Sequence, residues 1–119
     1  RGEVIVFRYP SDLSTYYIKR VIGLPDETLI VSDGKVKIIN PDHPEGFLLE
    51  EKYLTLGLKT SGDDKITLGL NQYFVLGDNR MFSFDSRSWG VLSGENIIGI
   101  VRVRLWPLKE ADLFNAPAY

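Results

Sequence analysis

The 119-residue chain has no cysteine, one histidine and one methionine. Without cysteine there is no disulfide, no thiolate metal site and no cysteine nucleophile, and the redox compartment stays open. The lone histidine, His43, lies between prolines in "NPDHPEG". A histidine-based triad or a multi-histidine metal centre would have to form around a loop residue with no nearby partner, so His43 reads as a surface side chain and no metal is expected. The formal net charge of −2 offers no electrostatic basis for binding nucleic acid. Apolar runs are only a few residues long, as in Ile97 to Val101 with its Gly99, far short of what spans a bilayer. Repeats, low-complexity tracts and long helical patterns are also missing.

What remains is the composition of one soluble globular domain with a real core, at 44% apolar and 12% aromatic residues. "RGEVIVFRY" alternates Val4, Val6 and Arg8 against Ile5, Phe7 and Tyr9, which predicts a strand. "TYYIKRVIG" is β-branched and aromatic and follows a short loop, so it reads as a second strand antiparallel to the first. "TLIVSDGKVKIIN" is a hairpin about Asp33-Gly34, whose residues tolerate the positive φ of a tight turn. From 41 to 71 the pattern loosens into a small excursion: a turn cluster, the ambiguous "FLLEEKYL" and the loop "KTSGDDK", where Asp63-Asp64 reads as a solvated pair. "QYFVLGDNR" is a strand entering a turn, "MFSFDSRSWG" is irregular, and "NIIGIVRVRLWP" is a last strand. One domain over 1–119 is expected, with core strands in about 1–40 and 72–107 and a loose tail over 108–119. The fold class is all-β, with antiparallel sheets forming a barrel-like core.

Two stretches stand out chemically. In "YYIKRVIGLP" two adjacent cations interrupt an apolar strand, so Lys19 shares a face with Tyr17 and Val21 while Arg20 shares the other with Ile18 and Ile22. Burial disfavours an ammonium, so a lysine on an apolar face is a candidate base toward a serine; spacing alone favours the other reading, in which its stem lies on the sheet with the charge in water or paired with an acid. The second stretch, "GDNRMFSFDSRSWG", gathers Asp78, Arg80, Asp85 and Arg87 with Ser83, Ser86 and Ser88. It reads either as a loop of self-satisfied ion pairs or as part of a site.

Taken in order, "RGEVIVF", "YIKRVIGLP" and "GDNRMFSFDSRSWG" resemble sequence boxes of bacterial type I signal peptidase, a membrane-anchored serine peptidase with a Ser/Lys dyad. The resemblance runs from Arg1 to about Pro107 and is loose over about 40–70. It implies that Lys19 is the general base, that Ser83 orients it, and that Arg20 meets Asp78 in a buried ion pair. It further implies that Asn79, Arg80, Asp85, Ser86 and Arg87 brace the loop. Val6, Tyr16, Tyr17 and Ile18 then serve the substrate, through shallow apolar pockets at Val6 and Ile18 and backbone pairing along Tyr16 to Ile18. The implied reaction is cleavage of signal peptides from exported preproteins after a small-x-small motif, with no cofactor. The implied place is the outer face of the bacterial cytoplasmic membrane, with lipid reached through an N-terminal anchor.

Several features depart from the family. Asp26-Glu27 stands where Gly-Asp is usual and Glu3 where aspartate is usual, and Met81-Phe82 is more apolar than usual and would help desolvate Lys19. The family's nucleophilic serine lies upstream of the first box, so the expectation is a longer natural product and a fragment inactive by itself. Two other readings are a non-catalytic relative that binds extended peptides as a chaperone-like module, and a self-cleaving repressor-type domain with the same dyad. The retained Lys19, Ser83 and Asp85 weigh against the first, and the "GDNR…SFDSR" segment against the second.

Overall fold

The computed structural model describes residues 1–54 and 58–101. The expected continuation of the last strand to Pro107 and the tail over 108–119 lie outside the described residues. Strands β1 (Val4–Tyr9) and β2 (Asp12–Gly23) pair antiparallel from Val4↔Arg20 to Arg8↔Tyr16, as their short connection demands. Strands β3 (Thr28–Ser32) and β4 (Lys35–Asn40) form the expected hairpin, with Asp33 at φ 53° and Gly34 at φ 77°. Positive φ at both turn positions matches the twist of the flanking strands.

The loosely patterned middle supplies β5 (His43–Leu48) and β6 (Asp64–Thr67), and the chain continues through β7 (Gln72–Leu76), helix α1 (Ser86–Trp89), β8 (Leu92–Ser93) and β9 (Ile97–Ile100). Described strands form two antiparallel sheets in the orders β8-β7-β2-β1-β9 and β5-β4-β3-β6. Each order is linear, so the antiparallel all-β class stands without a closed barrel among the described residues. His43 is exposed and opens a strand instead of sitting on a loop, with its ring 4.7 Å from that of Phe47. The irregular reading of 81–90 missed α1, a single turn capped by Asp85.

The first sheet is apolar on both faces. Ile22, Phe74 and Leu76 pack with Leu29, Val31, Val36 and Ile38 of the second sheet. Their chain neighbours Val21 and Val75 pack with Ile5, Phe7 and Leu92 on the opposite side, with Trp89 against them. Period-two alternation therefore feeds two cores, each fully buried side chain of this size being worth about 1.5–3 kcal/mol. Any charge near the middle of β2 must face one core or the other.

Candidate active site

Alternation along β2 turns Lys19 toward the face of Val21 and Arg20 toward the face of Ile22. Strand β7 pairs with β2 only from Arg20↔Leu76 onward, so it ends beside the two cations and the chain turns away at Gly77. That turn brings Ser83 back to the sheet. Half-buried Lys19 donates from Nζ to Ser83 Oγ at 3.1 Å, and its ammonium lies 5.9 Å from the Tyr17 ring centre. Close approach depends on Gly77: a Cβ there would fall 1.9 Å from Ser83 Oγ and 3.4 Å from Lys19 Nζ.

Arg20 grips Asp78 with two bonds, Nε to Oδ1 at 2.9 Å and Nη2 to Oδ2 at 2.8 Å, and donates Nη1 to the Gly2 carbonyl at 2.8 Å. The pairing is as expected, but the Asp78 side chain is 45% exposed, so the ion pair lies at the boundary of the protein and not in its interior. Asn79 is exposed, its carbonyl accepting the Phe82 N–H at 3.1 Å. Arg80 is wholly buried. It donates Nε to the Gly77 carbonyl at 2.8 Å and Nη1 to Thr60 Oγ1 at 2.9 Å, while Nη2 lies 2.6 Å from Glu51 Oε2 in a charge contact off hydrogen-bond alignment.

Buried Asp85 organises the return of the loop. Its carboxylate accepts the Gly77 N–H at 3.0 Å, the Arg87 N–H at 3.1 Å and both Nε and Nη2 of Arg87 at 2.9 and 2.7 Å. Burial pushes this carboxyl up, but the bonds from Arg87 and Gly77 outweigh it and hold the group below the usual carboxylate range. Ser86 Oγ accepts the Val75 N–H at 3.0 Å, tying α1 to β7. Arg87 Nη1 reaches the carbonyls of Arg80 and Ser61 at 2.8 and 3.0 Å. Asn79 apart, every residue expected to brace the loop makes side-chain bonds within it or across it to β2, β7 or the middle segment.

Of the expected substrate residues, Val6 pairs with Ile18 across β1 and β2. Tyr16 and Ile18 are 54% and 59% exposed. Tyr17 turns the other way, its ring 5.2 Å from Tyr9 and 6.3 Å from Phe7 and from Phe84. Among the described residues, β2 before Arg20 has no strand on its β7 side. A hollow of about 160 Å³ beside this edge is lined by Val4, Ile18, Lys19, Arg20, Gly77 and Asp78. Larger hollows of about 520 and 610 Å³ lie around the second sheet, remote from Lys19 in lining, and gather no comparable chemistry. Met81 and Phe82 are 53% and 85% exposed, so they point to solvent and do not wall off Lys19 as expected. No cluster of three His, Cys, Asp or Glu able to hold a metal occurs among the described residues.

Sequence reasoning missed Gly77, Glu51, Tyr53, Thr60 and Ser61. The last four come from the loosely patterned middle, and nothing local marks them, because their partners Arg20, Arg80 and Arg87 are distant in the chain. At the unusual Asp26-Glu27 turn, Asp26 adopts φ 67° and Glu27 accepts the Leu24 N–H at 2.9 Å. Aspartate tolerates this left-handed conformation better than most residues.

Lys19 Nζ is thus held by Ser83 Oγ beside an open strand edge. Residues 1–106 match the family described as "Signal peptidase, peptidase S26", and the chain belongs to that family. It is 39% identical to "Signal peptidase I" of Leptolyngbya laminosa over 129 residues, covering 100% of this chain and 59% of that one. It is 36% identical to "Signal peptidase I V" of Bacillus subtilis over 110 residues, covering 85% of this chain and 63% of that one. The chain thus spans a little over half the length of these curated relatives. The crystal structure of a signal peptidase I from Enterococcus faecalis superposes with a TM-score of 0.69 at 29% identity, covering 85% of this chain and 94% of that one. No described helix is long and apolar enough to cross a membrane.

Proposed function

We propose that this chain is the core of a serine endopeptidase that removes signal peptides from exported preproteins after a small-x-small motif. Lys19 is the general base and Ser83 its orienter, and the nucleophilic serine is supplied by protein upstream of Arg1. The contact of 3.1 Å between Lys19 Nζ and Ser83 Oγ carries this reading. An extended preprotein segment adds to β2 along Tyr16 to Ile18, where main-chain groups give affinity and the small hollow lined by Val4, Ile18 and Gly77, which Val6 does not line, admits only small side chains.

In the reaction, the serine Oγ bonds to the scissile carbonyl carbon as its proton passes to Lys19 Nζ. Collapse breaks the C–N bond, and Lys19 returns the proton to the departing amine. Lys19 then takes a proton from water as its oxygen bonds to the acyl carbon; the bond from that carbon to the serine Oγ breaks, and Lys19 returns the proton to that Oγ. The chemistry needs no metal or cofactor. Cleavage takes place at the outer face of the bacterial cytoplasmic membrane, with an upstream apolar anchor in the lipid.

To test this, the full-length gene product and the isolated chain are each incubated with a purified preprotein, and new termini are read by mass spectrometry. A single cut after a small residue, made only by the full-length protein, is expected. Binding without cleavage by the full-length protein would favour a non-catalytic peptide-binding module, since the open edge of β2 would serve that role as well.

A further inference from the structure

Tyr53 lies in the loosely patterned middle segment and carries no role in the reading above, yet it touches both arginines that hold the turn at Gly77. The Arg20 guanidinium carbon lies 4.0 Å from the Tyr53 ring centre and that of Arg80 5.8 Å away. The Tyr53 hydroxyl donates to Glu51 Oε2 at 2.8 Å, the same oxygen that pairs with Arg80 Nη2. Arg20 and Arg80 grip adjacent points of one turn, the Asp78 carboxylate and the Gly77 carbonyl. Two guanidinium groups against one ring repel each other, and the π face and the Glu51 carboxylate supply the opposing negative potential. Ser83 packs on Gly77, and Lys19 is the chain neighbour of Arg20.

We infer that Tyr53 is a positioning residue for the Lys19–Ser83 pair, acting through its ring on Arg20 and Arg80 and so on the Gly77–Asp78 turn. The inference rests on Lys19 and Ser83 forming part of the catalytic site. The middle segment thereby braces the site from the side of the second sheet without touching substrate.

The test uses the full-length protein with Tyr53→Leu, Tyr53→Phe and, for shape without change, pentafluorophenylalanine at position 53. Preprotein processing gives kcat and KM, and amide hydrogen exchange is followed at Gly77 and Phe82, whose N–H groups bond Asp85 and Asn79. Tyr53→Leu should lower kcat about tenfold or more with KM within about twofold, the signature of a misplaced reacting group. Exchange at both amides should quicken, and Tyr53→Phe should restore most of both effects because the ring remains. The fluorinated ring reverses the face potential and should lose kcat relative to Tyr53→Phe. Parental kcat and exchange in Tyr53→Leu, a loss that phenylalanine fails to restore, or equal kcat for the two isosteric rings would each overturn the inference. Lys19→Met, run alongside, separates the two levels: retained activity there refutes the base assignment, while exchange at Gly77 and Phe82 still decides the role of Tyr53.

Discussion

Gly77→Ala is the perturbation whose outcome follows most closely from the geometry. The φ of Gly77 is not in the left-handed region, so the effect is purely one of space. The added methyl would sit 1.9 Å from Ser83 Oγ and 2.6 Å from Ser83 Cβ. Restoring ordinary contact at about 3.4 Å moves the hydroxyl by about 1.5 Å, and because Cβ also clashes, a rotamer change alone does not relieve it. The bond from Lys19 Nζ at 3.1 Å does not survive such a shift. Overpacking of this kind costs about 1–3 kcal/mol of stability, and a misplacement near 1 Å costs on the order of 10²-fold in turnover. Urea denaturation and preprotein processing of the full-length protein measure the two effects. Combining Gly77→Ala with Ser83→Gly removes both clashing atoms, and the next nearest, Lys19 Nζ, lies at an ordinary 3.4 Å. The double variant should therefore recover most of the lost stability but not the turnover. Parental stability and turnover in Gly77→Ala, or additive stability losses in the double variant, would show that this close approach does not govern the site.

Glu51→Gln leaves the wholly buried Arg80 without its anionic partner and should cost about 3–5 kcal/mol, read as a lower urea midpoint at unchanged slope. Acid should also destabilise the fold. Burial raises the carboxyls of Glu27 and Asp85, but bonds from Arg1, Asn40 and the Leu24 N–H to the first, and from Arg87 and Gly77 to the second, leave both below the usual range. The unfolded chain then binds protons first as pH falls. Stability is complete above the ordinary carboxylate pKa of about 4 and declines below it toward the folded values, which urea midpoints between about pH 6 and 2 would reveal; a flat profile would contradict it. Ser83→Ala removes an orienting hydroxyl and should slow turnover by about 10–100-fold without abolishing it. An acyl-enzyme trapped on Ser83 would make that residue the nucleophile instead.

Much of this was legible because strand alternation is a short-range rule. The opposite facing of Lys19 and Arg20, the antiparallel β1–β2 pair and the Asp33-Gly34 turn each follow from a few neighbouring residues. The contact of Lys19 with Ser83 spans 64 positions and was reached only through family resemblance, since spacing alone favoured a snorkelling or acid-paired side chain. Glu51, Tyr53 and Thr60 were not legible at all. Their segment carries no periodicity, and their work consists of contacts to arginines on distant parts of the chain. The solvent-facing Met81 and Phe82 show the converse: apolar type suggested burial, but a turn held from beneath by Arg80 and Asp85 presents those side chains outward.

Whether Lys19 acts as the base of a peptidase is decided by preprotein processing with the full-length gene product beside its Lys19→Met variant. Cleavage after a small residue by the parent, and none by a variant that remains folded, is the expected outcome. Unchanged cleavage by the folded methionine variant would contradict it.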